Sequence, residues 1–155
     1  MSDPSQTPPD PADEHPLAGI PCPGCNEPAL DDVVDRNVGF VGCRACYSLS
    51  ATDEGLAVYV ERATGAKEAG QAFTDLLQTA LGGSLRKARR ECWSCGERMY
   101  RFGFGESPFV ILDRCERHGI WLDRSELKKI VRASRAHAAA QGWIPPFDED
   151  EPDDD

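Results

Sequence analysis

Apolar residues recur along this chain in two rhythms. Ala69, Ala72, Phe73, Leu76, Leu77, Ala80 and Leu81 follow helical spacing, and Gly82-Gly83 would end that helix. Leu127, Ile130, Val131 and Ser134 trace one face of a second helix. Asp123 stands at that helix's N-cap position and Glu126 three residues on completes a capping box. The strand rhythm appears in Val38 and Phe40 and their neighbours up to Cys43, and in Tyr100, Phe102 and Phe104. Gly105-Glu106-Ser107-Pro108 reads as a turn, with Phe109 to Leu112 as the return strand. That return strand is the longest strongly apolar run, far too short to span a bilayer. The first residues carry neither a basic start nor an apolar run, so a cytoplasmic protein without a secretory signal is expected.

Seven cysteines in 155 residues change this picture. In a reducing compartment paired cysteines bind metal more often than they cross-link, and an odd count fits that use. Cys22 and Cys25 are followed, after 17 intervening residues, by Cys43 and Cys46; Cys92 and Cys95 are followed, after 19 intervening residues, by Cys115 and His118. A two-residue gap lets one tight turn aim both side chains at one ion, and two such turns supply four tetrahedral ligands. The eight residues Cys22, Cys25, Cys43, Cys46, Cys92, Cys95, Cys115 and His118 therefore predict two Zn²⁺ ions. The second quartet repeats the first about 70 residues on, which points to a duplicated module. Gly96 and Gly119 each follow a second ligand, where positive φ is convenient. Asn26 suits that place in the first module, and Tyr47 suits it less.

The expected fold is small α+β: two zinc ribbons joined by a helix, a C-terminal helix after the second ribbon, and disordered acidic tails. The boundaries are 1–21 for the N-terminal tail, 22–61 for the first ribbon, 62–91 for a helical connector, 92–141 for the second ribbon with its helix, and 142–155 for the acidic tail. Modules of this size bury little apolar surface, so metal would hold them together. Catalytic zinc keeps an open position for water. With four ligands per site, structural metal is expected and no catalytic residue is assigned. A hydrolase, or a redox role for a Cys-x-x-Cys pair, stays as a lesser alternative.

From Cys115 the chain reads Cys-Glu-Arg-His-Gly-Ile-Trp-Leu-Asp-Arg-Ser-Glu-Leu. This run, within residues 92–131, resembles the bacterial zinc-ribbon family named after the transcription factor IIB zinc finger. The resemblance implies a zinc-ribbon fold and a loose association with transcription. The first module has Leu49-Ser50-Ala51 where the family has Trp-Leu-Asp, and shares only the cysteine spacing. Trp121 is expected to pack between the ribbon and the helix start.

The net charge is −10. Asp3, Asp10, Asp13 and Glu14 lie in the first 21 residues, and Asp148, Glu149, Asp150, Glu151, Asp153, Asp154 and Asp155 in the last eight, which leaves residues 22–147 with a single net positive charge. Arg86, Lys87, Arg89 and Arg90 form a basic cluster able to meet phosphates. Near-neutrality of the remainder is weak for a nucleic-acid binder. The expected function is thus a non-enzymatic interaction module, with a protein partner ahead of nucleic acid, no membrane and no small-molecule substrate. The acidic tail, with Trp143, Ile144 and Phe147 as apolar anchors, would either engage a basic partner or solubilise the chain.

Overall fold

The structure, a computed structural model, describes residues 17–106 and 108–146. Seven strands form one antiparallel sheet: β1 (Leu30–Asp35), β2 (Val38–Cys43), β3 (Leu49–Ala51), β4 (Arg86–Glu91), β5 (Arg98–Phe104), β6 (Val110–Cys115) and β7 (Gly119–Leu122). Three helices complete the fold: α1 (Asp53–Thr64), α2 (Lys67–Leu81) and α3 (Arg124–Ala140). The strand order is β1-β2-β3-β7-β6-β5-β4. Each module contributes a hairpin, a short third strand and a helix: β1, β2, β3 and α1, then β5, β6, β7 and α3. The short strands pair at the centre, Leu49 opposite Leu122, Ser50 opposite Trp121 and Ala51 opposite Ile120. That seam joins the two modules into a single sheet, in which β1-β2-β3 is mirrored by β7-β6-β5.

Side-chain alternation decides what each face of the seam does. Leu49, Ala51, Ile120 and Leu122 point to the helices, and join Phe40, Leu56, Val60, Phe73, Phe104, Leu112, Leu127 and Ile130 in the main core. Trp121 points the other way, into a smaller cluster with Leu17, Leu30, Met99, Ala88 and the buried cysteines of both quartets. Its indole sits with the metal side of the sheet.

The α2 helix lies beside both α1 and α3 and buries Ala69, Ala72, Phe73 and Leu77, four of the seven residues of the apolar stripe read from the sequence; Gly82 follows its last residue. The α3 helix begins with the expected capping box: Asp123 Oδ1 accepts from Glu126 N at 2.8 Å, and Glu126 Oε2 accepts from Asp123 N at 3.0 Å.

Several sequence expectations change. Helix α1 was not foreseen within the segment assigned to the first ribbon. Its signals are local: Thr52 caps the Gly55 amide at 3.0 Å, Leu56, Tyr59 and Val60 bury one face, and Gly65 closes it at φ 68°. The segment 62–91 is not helical throughout. Its last six residues form β4, because Ala88 finds a buried place beside Met99 and the strand pairs with β5. Residues 17–21, read as tail, are ordered, since Leu17 is buried and Ile20 packs on the same metal-side cluster. Past α3, the Trp143 amide donates to Ala138 O at 2.9 Å and the indole meets His137 edge-on. The remaining tail assignments, residues 1–16 and 147–155 with Phe147 and the acidic run, lie outside the described residues, as does Ser107 of the predicted turn.

Candidate metal centres

Each quartet is assembled by two short turns that share one geometry. The amides of Asn26, Tyr47 and Gly96 donate to the carbonyls of Cys22, Cys43 and Cys92 at 2.8, 2.8 and 3.0 Å. The turns end in left-handed backbone: φ is 66° at Asn26, 65° at Tyr47, 74° at Gly96 and 93° at Gly119. Tyr47, the residue least suited to that conformation, lies under the Arg124 guanidinium, 5.3 Å from its ring centre. Further amides point at sulfur. Gly24 N lies 3.2 Å from Cys22 Sγ, Ala45 N 3.4 Å from Cys43 Sγ and Ser94 N 3.4 Å from Cys92 Sγ. Such contacts favour the thiolate.

The turns bring together all eight residues singled out from the sequence. Cys22, Cys25, Cys43 and Cys46 form one group, and Cys92, Cys95, Cys115 and His118 the other, with donor atoms in each group within 4.8 Å of one another. Cys22 to Cys46 and Cys25 to Cys43 are 3.6 Å apart between sulfurs, and Cys95 to Cys115 is 3.7 Å. Those gaps are too long for a disulfide, whose sulfurs sit about 2.05 Å apart. They match the edge of a tetrahedron with metal–sulfur bonds of about 2.3 Å, which is about 3.8 Å. His118 presents Nδ1, at 3.5 Å from both Cys92 and Cys115 sulfurs. A mixed sulfur–nitrogen edge around the same centre is about 3.6 Å. Each group can therefore hold one metal ion without rearrangement.

The thiols of a group are unequal in the metal-free chain. Burial pushes Cys22 up to about 12 and Cys92 up to about 11, against the pull of backbone amides. Burial also raises Cys46 and Cys115, but is outweighed. The Ser48 hydroxyl and amide hold Cys46 at about 7, and the Arg117 amide and His118 hold Cys115 at about 7. Each group thus offers one thiol that ionises near neutrality, an anionic foothold for a cation whose charge then deprotonates the others.

The two centres are tied together across the seam. Trp93, in the Cys92–Cys95 turn, donates its Nε1 to Ser50 Oγ of β3 at 3.0 Å. Arg114 of β6 grips Asp53 at the start of α1 with two bonds, Nη2 to Oδ2 at 2.7 Å and Nε to Oδ1 at 3.3 Å. On the metal face Asp113, almost fully buried, takes Arg101 Nε at 3.0 Å and Nη2 at 3.3 Å, with Arg90 at 3.8 Å. None of these cross-links was read from the sequence. The links across the seam join residues more than 40 positions apart whose types alone do not name a partner.

The basic cluster lies on the sheet edge. Arg86, Lys87, Arg89 and Arg90 are exposed on β4, with Ala88 alone turned inward. Arg89 and Arg90 line a groove of about 710 Å³ between the Cys22–Asn26 and Cys92–Gly96 turns. No described helix is long and apolar enough to cross a membrane.

Comparison with known proteins returns no matching family model, curated protein or solved structure. The fold and the two donor groups define a small α+β protein able to hold two metal ions, and the reading of its role rests on that geometry.

Proposed function

We propose that the chain is a zinc-ribbon protein in which two Zn²⁺ ions are structural, and that it acts by presenting a surface to a macromolecular partner rather than by catalysis. The observation that carries this is the filling of both tetrahedra by protein donors at zinc-like separations. Thiolate and imidazole donors suit Zn²⁺. A hydrolytic zinc would need an open position for water, and every corner here has a side chain. The buried cysteines also belong to the core on that face, so the ions would support the packing of Leu17, Leu30, Met99 and Trp121. The resemblance of residues 92–131 to the zinc-ribbon family named after the transcription factor IIB finger supports the same reading, together with a role beside the transcription machinery.

Metal quantification on the reduced chain tests this. Two zinc ions per chain are expected, falling to one on Cys115→Ser, with chelation removing the far-ultraviolet circular dichroism of folded protein. Zinc contributes roughly 10–16 kcal/mol to units of this kind, as large as a domain's whole stability of about 5–15 kcal/mol. A chain that carries fewer than two ions, or keeps its spectrum after chelation, would refute the structural assignment.

A further inference from the structure

Near-neutrality of the structured part is a cancellation between its halves. Residues 17–85 hold nine carboxylates (Glu27, Asp31, Asp32, Asp35, Asp53, Glu54, Glu61, Glu68, Asp75) against Arg36, Arg44, Arg62 and Lys67, a net −5. Residues 86–146 hold thirteen Lys and Arg against seven Asp and Glu, a net +6. The low overall charge that set nucleic acid behind protein therefore describes neither half. In the sheet the first hairpin, with Asp31, Asp32 and Asp35 against Arg36, and the β4–β5 hairpin, with Arg86, Lys87, Arg89, Arg90, Arg98 and Arg101 against Glu91 and Glu97, lie at opposite ends, so the charge of the strands is polarised along the strand order.

Where the positive charge sits is informative. Charges on an edge strand block unwanted pairing, and that accounts for Lys and Arg on β4. It does not account for Arg101, which lies on the internal strand β5 directly opposite Arg86. Like charges directly opposite destabilise a sheet. Asp113 offsets part of this repulsion, yet the side chain of Arg101 remains 43% exposed, as does that of Arg90. Two residues further along β5, about 7 Å away on the same face, is Gly103. The ring of Phe109 lies against it, so close that a Cβ on Gly103 would strike the ring. The Cζ–Cε2 edge of that ring is thus held against the sheet, while the residue is 61% exposed. Ile111, opposite Gly103 on β6, is 51% exposed. Packing on a glycine explains that edge and leaves the exposure of the rest of the ring unexplained.

We infer that this face of the second module, with Phe109 as the stacking platform and Arg86 and Arg101 beside it, binds single-stranded nucleic acid. Flat exposed aromatics take bases of any identity, and neighbouring arginines take the phosphates. A duplex would offer the arginines its phosphates but no free base to the ring. An acidic peptide would satisfy the charge without using Phe109. The inference deepens the proposed interaction role and rests on it, although it stands apart from the identity of the metal.

The test is fluorescence anisotropy of a labelled oligothymidine at about 50 mM salt. The zinc-loaded full chain is measured beside a chain shortened after Phe147, because residues 148–155 add seven negative charges that oppose an anionic ligand. Expected are binding by at least the shortened chain and a logarithmic salt dependence with slope near −0.7 per phosphate engaged. Phe109→Ala should weaken binding on the order of 10-fold, and Arg86→Glu should weaken it and flatten the salt slope. Both variants sit on exposed positions, and unchanged zinc content and circular dichroism verify that they fold. No binding by either chain would overturn the inference. So would binding indifferent to Phe109→Ala, equal affinity for duplex, or preference for a poly-glutamate peptide. None of these results would alter the zinc count, so failure here is distinguishable from failure of the structural-zinc reading.

Discussion

Gly119 and Gly96 form a matched pair that tests whether the two modules are one folding unit. Both follow the second ligand of a pair and both have positive φ, 93° and 74°. Replacing either with alanine places a side chain in left-handed backbone, at a cost of about 1–2 kcal/mol. Their surroundings differ. A Cβ on Gly96 would meet nothing within 4 Å, whereas one on Gly119 would strike the Ala51 carbonyl oxygen, with Ala51 C at 2.8 Å and Thr52 Cα at 2.9 Å. Those are backbone atoms of the other module and cannot rotate aside. Relief requires β7 to move off β3, at a seam only three residue pairs long whose flanking Leu49, Ala51, Ile120 and Leu122 are all at most 5% exposed. Overpacking costs about 1–3 kcal/mol, and each strained or lost seam hydrogen bond about 0.5–1.5 kcal/mol. Gly119→Ala should therefore destabilise by about 3–5 kcal/mol against about 1–2 kcal/mol for Gly96→Ala. Urea unfolding of both variants at one fixed free-zinc concentration measures the difference, with each variant's own zinc affinity subtracted through linkage. Equal losses within about 0.5 kcal/mol would refute the seam as the close contact that unites the two modules.

Other consequences are as direct. The Arg114–Asp53 fork joins the modules from partly buried positions, 19% and 29% exposed. A double-mutant cycle on Arg114→Ala and Asp53→Ala should return a coupling of about 1 kcal/mol, screened only weakly by salt; a coupling near zero would leave the fork without a structural role. Thr52→Ala removes the α1 cap and should cost about 1 kcal/mol of urea stability without altering zinc content. Raised thiols give the metal-free chain a pH signature. The protonated forms of Cys22 and Cys92 are favoured by folding, with values near 12 and 11 against an ordinary 9.0. Their contribution is thus complete below about pH 9 and is lost as pH rises toward 11–12. Zinc uptake takes the opposite form of the same groups, so calorimetry in buffers of different ionisation enthalpy should detect protons released on binding.

The turns that carry the metal donors were legible in the sequence because they are local. Two residues between ligands leave few backbone paths, and the left-handed positions after them, Asn26, Gly96 and Gly119, announce themselves by residue type. The α3 cap and the α2 stripe were legible for the same reason, since each is set by residues within one or two turns. The first module's helix was within reach as well, through Thr52, Leu56, Tyr59, Val60 and Gly65, but twelve residues with Gly55 in the opening turn give a weak periodic signal.

Tertiary structure alone decided the rest. A three-residue strand such as Leu49-Ser50-Ala51 shows no readable period, and its partner lies some 70 residues away, so nothing local fixes that pairing. From that seam follow the single sheet, the shared cluster around Trp121 and the close contact at Gly119. It also separates an acidic end from a basic one, which a charge summed along the chain had averaged away. The sequence by itself determined the donors and their grouping, through short-range chain geometry. Their relative placement, and the exposed face of Phe109 beside Arg86 and Arg101, depend on strands meeting across long loops, where burial and register outweigh local preference.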